Sequence, residues 1–233
     1  MLTRFSIFAF GLLFVASCGL LIDPDIADFD LSLPRKEIVI DTSTWELTDE
    51  ASLPAVDCSL DAQICSMGIA QLCGAEGVCT SACGMGDTCD VTIGVSLWHG
   101  FDLAKEKPEL EEIEGQPLVS ITIKRIAYEV TENTLNVPTP EMTVYVAAEG
   151  VMSPGDAGAE AIGVVPPVAA GTTVDVQDIE LTATGHDTLA RYMKQYSQPF
   201  NIIIGTDIVI HAGDEVPTGK LTAVVIVSAV AGI

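Results

Sequence analysis

Basic and aromatic residues are scarce in this chain of 233 residues: 10 Lys and Arg stand against 33 Asp and Glu, and aromatics make up 6%. A formal net charge of −23 repels phosphate backbones, and no basic stripe with interleaved aromatics offsets that repulsion, so nucleic acid is not expected as a partner. Several chemical motifs are missing as well. No cysteine pair has the C-x-x-C spacing of a zinc or dithiol site. Gly94-Val95-Ser96-Leu97-Trp98 lacks the second glycine of a serine-hydrolase elbow. In Gly213 to Lys220 five residues separate the glycines, and Leu221 stands where a phosphate loop needs Ser or Thr for Mg²⁺; a turn is the plain reading. The aspartates of residues 19 to 33 lack the alternate carboxylates, turn glycine and distal Glu of a calcium-binding EF-hand loop.

One long apolar run is present, near the start. Arg4 precedes an apolar stretch from Phe5 to Ala16, broken only by Ser6, and small residues lead to a cysteine: the three-part layout of an export signal. Val15-Ala16-Ser17-Cys18 resembles the lipobox of bacterial lipoproteins. The resemblance implies a leader over residues 1 to 17, acylation of Cys18 as the first residue of the mature chain, and a membrane partner reached through that lipid. Gly19 after the cysteine is similar to lipoproteins sorted to the outer membrane. The rival is an uncleaved anchor, because Phe5 to Ile22 is 18 residues long and just reaches spanning length. Against it, Ser17, Cys18 and Gly19 interrupt the run, and Asp23, Asp25, Asp28 and Asp30 follow with no basic stop-transfer cluster.

Setting Cys18 aside leaves Cys58, Cys65, Cys73, Cys79, Cys83 and Cys89. An even count in an exported chain predicts three disulfides, with fifteen possible pairings among which sequence does not choose. The segment carries Gly74, Gly77, Gly84 and Gly86 but few large apolar residues, so cross-links are expected to hold it together.

The remainder reads as strands. β-branched and alternating runs occur at Lys36 to Thr42, Val91 to Trp98, Leu118 to Thr131, Met142 to Ala148, Ala161 to Val165, Thr173 to Ala183, Phe200 to His211 and Lys220 to Ala229. Turn signals separate them, notably Ser153-Pro154-Gly155-Asp156 and Ala212-Gly213-Asp214-Glu215. The expected fold is an all-β antiparallel sandwich of seven to eight strands with one short helix and a small disulfide-rich insert. Its divisions are a tether over 18–33, a first strand within 34–49, the insert over 50–90 and the rest of the sandwich over 91–233. Val224-Val225-Ile226-Val227 and Ile202-Ile203-Ile204 are expected to be covered on both faces.

Two local features are sharper. Val119, Ile121 and Ile123 occupy one strand face while Ile126, Tyr128 and Val130 occupy the other parity, which requires an extra residue; a bulge near Lys124-Arg125 is predicted, and it could carry the strand between sheets. The helix is expected over Asp187 to Gln198, where Leu189, Tyr192, Met193 and Tyr196 make one apolar stripe, Asp187 or Thr188 caps the start and Pro199 ends it.

Candidate chemistry is thin. His99, His186 and His211 are the possible bases or ligands, and Asp207 shares a strand face with His211 but lies four residues, roughly 13 Å, away. Glu106, Glu109, Glu111, Glu112 and Glu114 form an acidic loop, and Asp87, Asp90, Asp156, Asp214 and Glu215 are further carboxylates that could serve calcium. The sequence favours a non-enzymatic binding or structural role at the membrane surface, with an envelope protein as a possible partner and no cofactor. The alternative is an envelope hydrolase or a metal-dependent protein. A histidine meeting carboxylates in a cleft would favour it.

Overall fold

The computed structural model describes residues 28–45, 51–61, 63–69, 79–108, 110 and 120–232. The leader expected over residues 1 to 17 and Cys18, together with Cys73, Glu109, Glu111, Glu112 and Glu114, lie outside the described residues. Two antiparallel sheets face each other. One contains β1 (Phe29–Asp30), β2 (Lys36–Asp41), β5 (Ser120–Asn133), β8 (Val174–Asp178) and β11 (Lys220–Gly232); the other runs in the order β3 (Cys79–Cys83), β4 (Cys89–Phe101), β10 (Phe200–Ile210), β6 (Met142–Ala148), β7 (Glu160–Val165), β9 (Glu180–Leu181). The sandwich expected from sequence is therefore present. Its interior is one continuous apolar core in which Ile93, Val144, Val146, Ile162 and Leu189 are fully buried.

Position in the sheets explains the two long apolar runs. Strand β10 pairs with β4 on one side and β6 on the other, and Ile202, Ile203 and Ile204 are all buried. Strand β11 is likewise internal, with β5 along one side and β1 and β2 end to end along the other; Leu221 to Val225 are all buried, but from Ile226 onward burial alternates, so Ile226, expected to be covered on both faces, is only partly buried. A strand shielded on both faces has no solvent side to mark with polar residues, so its sequence runs apolar without alternation.

The bulge lies where parity predicts. Opposite Ser228 and Ala229 in β11 stand Arg125 and Ile123, so Lys124 is the extra residue, and Ile123 and Ile126 are both buried. A second shift skips Thr131. The strand does not change sheets there, however: β5 stays against β11 throughout. The chain crosses instead at Ile179, which divides the single strand expected over Thr173 to Ala183 into β8 in one sheet and β9 in the other. Ile179 is buried between them.

Three other boundaries move. The tether is shorter than 18–33, because Phe29–Asp30 is a strand, Leu31 and Leu33 are buried, and their amides donate to Ala229 O and Val227 O. The insert contributes to the sandwich itself: β3 pairs with β4, and helix α1 (Gln63–Ile69) precedes it. Part of the acidic loop is helical as α2 (Leu103–Glu106), capped by Asp102, and Glu106 meets Lys36 at 2.9 Å.

The predicted helix is α3 (Gly185–Lys194), beginning two residues early; its N-cap is Thr184, not Asp187 or Thr188, and Thr184 makes no side-chain cap bond. Close packing sets this start. A Cβ at Gly185 would come within 2.0 Å of Ile162 O, so only glycine lets the first turn rest on β7. The stripe points inward, with Leu189 and Met193 fully buried and Tyr192 and Tyr196 packed against the core edge. Each buried Leu or Met contributes about 1.5–3 kcal/mol, more than the exposed Arg191–Glu160 bridge that ties the helix to β7.

Candidate functional site

The histidines do not converge. His186 lies in the first turn of α3, His99 faces the end of the sandwich near Lys36 and Glu106, and His211 follows β10 on the surface. Burial, aided by the Lys36 charge, lowers the His99 pKa; the Glu106 charge opposes it in part. His211 Nδ1 lies 3.0 Å from Asp90 Oδ1, and this hydrogen bond and charge raise its pKa, with Asp214 adding to the effect. His211 is exposed and Asp90 is partly buried. Its sign is definite: the His211 contribution to stability is complete below the ordinary histidine pKa and fades as pH rises through the raised value. His99 acts oppositely, favouring the fold above the ordinary pKa and costing stability as pH falls through its lowered one. Titrating both by NMR should therefore place His211 above and His99 below a free histidine; equal values would contradict both environments.

The carboxylates proposed for calcium are dispersed into local roles. Asp156 Oδ2 accepts from the amides of Met152 and Ser153, Asp214 Oδ2 accepts from His211 N, and Glu215 lies 3.4 Å from the Asn136 amide. Asp90 is paired with His211, and Asp87 occupies a left-handed turn position at φ 55°. Among the described residues, three potential metal-ligand atoms come within 4.8 Å of one another only at the sulfurs of Cys58, Cys65 and Cys89. Those sulfurs are bonded as Cys58–Cys83 and Cys65–Cys89, and Cys79 is disulfide-bonded too. The cysteines therefore cross-link the insert, as their even count predicts.

A different surface gathers hydrogen-bonding groups. The outer face of the six-stranded sheet carries a depression of about 610 Å³ across β4, β10 and β6. Register builds its floor: Ser96 and Thr143 flank Gly205, and Gly94 pairs with Asp207. One wall is the loop after β6. Asn201 Nδ2 donates at 2.8 Å to both Glu149 O and Val151 O, Ser96 Oγ donates to Met152 O, and Pro154 lies where a Gly205 side chain would be. Tyr145, Glu141 and Asp207 complete the lining. Gly94, unlike Gly205, has open space above it: its Cβ would meet only Asp207 Oδ1, at 3.7 Å.

A second depression, of about 410 Å³, adjoins the first. Ile208, Val209 and Ile210 continue β10 from Asp207, and Pro140 precedes Glu141. On the outer face Gly205, Asp207 and Val209 form a row of about 13 Å at strand rise, while Ile208 and Ile210 turn into the core. Apolar side chains and prolines line this end, with Asp214 and Glu215 at the rim.

Sequence reasoning noticed Asp207 only beside His211 and missed its partners. A signal existed: outward positions of the internal strands β4, β6 and β10 hold Gly94, Ser96, Thr143, Tyr145 and Asp207, small or hydrogen-bonding rather than bulky. Reading it needs the strand neighbours, which lie roughly 50 to 110 residues apart in the chain. Comparisons with known protein families, curated proteins and solved structures found no match, so the meaning of this surface rests on its own residues.

Proposed function

We propose that the chain is a lipid-anchored lipoprotein of the cell envelope, at the outer membrane, that binds a ligand non-enzymatically in the groove of its six-stranded sheet. The observation carrying the binding role is the groove itself. The hydroxyls of Ser96, Thr143 and Tyr145 and the carboxylate of Asp207 are carried there on strands, more precise supports for a site than loops, and a strapped loop forms one wall. No histidine is among its lining residues, so the surface offers recognition groups without an imidazole base.

The anchor is supported by the Val15 to Cys18 segment and by the disulfides, which suit an exported chain. Each acyl CH₂ buried in a membrane contributes about 0.8 kcal/mol, so several chains on Cys18 give lasting attachment where one would not. Mass spectrometry of the N-terminal peptide tests this directly. The wild-type chain should begin at an acylated Cys18 and partition with detergent, whereas Cys18→Ala should carry no acyl mass; a wild-type chain beginning at unmodified Met1 would overturn the anchor.

A further inference from the structure

We propose that the groove's ligand is a neutral, polyhydroxylated saccharide chain, a reading that rests on the groove being the binding surface. The lining is suited to hydroxyl groups. Thr143 can donate or accept, Ser96 Oγ, whose proton goes to Met152 O, can accept, and Glu141 and Asp207 supply carboxylate acceptors for O–H donors, the stronger charge-assisted kind of hydrogen bond. Tyr145 adds a flat apolar ring with a polar tip, able to lie against the C–H face of a sugar. The floor at Gly94 leaves room for the ligand to approach the sheet closely.

Charge and shape narrow the class further. The chain's net charge of −23 and the two groove carboxylates disfavour an anionic polymer. An extended peptide is favoured at sheet edges, where free backbone groups add a strand; β6 is paired on both sides at Thr143 and Tyr145, and β10 lies between β4 and β6 up to Gly205, so the centre of the groove floor presents side chains, while the free edges, of β4 beyond Ile93 and of β10 beyond Gly205, lie at its margins. The outward row of Gly205, Asp207 and Val209, about 13 Å long, suits a linear chain rather than a single small molecule. The apolar end at Val209, about half exposed, would receive less polar faces of the same chain.

Calorimetric titration of the full mature protein in detergent with cellotetraose, maltotetraose and chitotetraose tests the proposal, with tetragalacturonate as the anionic control and an oligolysine as the peptide control. At least one neutral tetraose should bind with a dissociation constant of about 1 mM or tighter, a range reached by modest contact energies. Gly94→Ile, which fills the open floor with a residue favoured in strands, should weaken that binding at least tenfold while leaving the circular dichroism unchanged. Asp207→Asn should weaken it too, and tetragalacturonate should not bind. If no neutral tetraose binds but oligolysine does, and Gly94→Ile abolishes that binding, the saccharide class is wrong and the groove stands. If tetraose binding is indifferent to Gly94→Ile, the site lies elsewhere, and if no probe binds, both readings fail.

Discussion

Gly219→Ala should lower the unfolding free energy by about 4 kcal/mol, from the combined costs of a disallowed backbone conformation and an overpacked contact. Gly219 has φ 105°, a region that side chains rarely occupy, and its Cβ would lie 2.2 Å from Thr134 O. Neither partner can move cheaply. Gly219 O accepts from both Thr42 N and Thr42 Oγ1, and Thr134 N donates to Lys220 O at 2.7 Å, so the ends of β2 and β5 and the start of β11 meet at this residue. Against a usual total of about 5–15 kcal/mol the loss is severe, and the melting temperature should fall by roughly 10 °C. Gly171→Ala is the matched control: it also has positive φ, at 64°, but open space for a Cβ, so about 1 kcal/mol is expected. Denaturant unfolding of both variants decides the matter. Equal losses would show that the approach to Thr134 is not what constrains Gly219.

The double replacement Cys65→Ala with Cys89→Ala should cost about 3.5 kcal/mol, the loop-closure entropy of a cross-link over a segment of this size. The bridge spans 24 residues, and both cysteines are completely buried, so the alanines also leave unfilled space. Both must be changed together. With its bond to Cys65 gone, a lone Cys89 thiol would sit within 4.8 Å of Cys58 Sγ and could exchange into the Cys58–Cys83 disulfide. The damage should be local first. Amides of α1 and β3 should lose protection from hydrogen exchange, while those of β10 and β11, internal in their sheets, keep it. Uniform loss of protection across both sheets would mean that the insert and sandwich unfold as one unit.

Sequence patterns were legible where a single strand or helix contains its own evidence. The missing parity between Ile123 and Ile126 located the bulge at Lys124, since period two permits no other account. The stripe from Leu189 to Tyr196 identified the inward face of α3. Its start was misplaced because Asp187 and Thr188 look like caps, whereas the clearance between Gly185 and Ile162 O involves a segment over twenty residues away. Likewise, Phe29 to Leu33 resembles an acidic spacer until β11 is beside it, offering carbonyls to Leu31 and Leu33. The crossing at Ile179 had no local mark, for one β-rich run served two sheets.

The same division applies to the site. By itself the sequence determined the acidic charge, the predominance of strands and the expectation of disulfides, because each depends on composition or on neighbours within a few residues. Only the tertiary structure decided which cysteines pair, that His99, His186 and His211 stay apart, and that Gly94, Ser96, Thr143, Tyr145 and Asp207 share one surface. The physical reason is register. Antiparallel pairing brings residues from distant strands into rows about 5 Å apart, and a groove exists only across such rows.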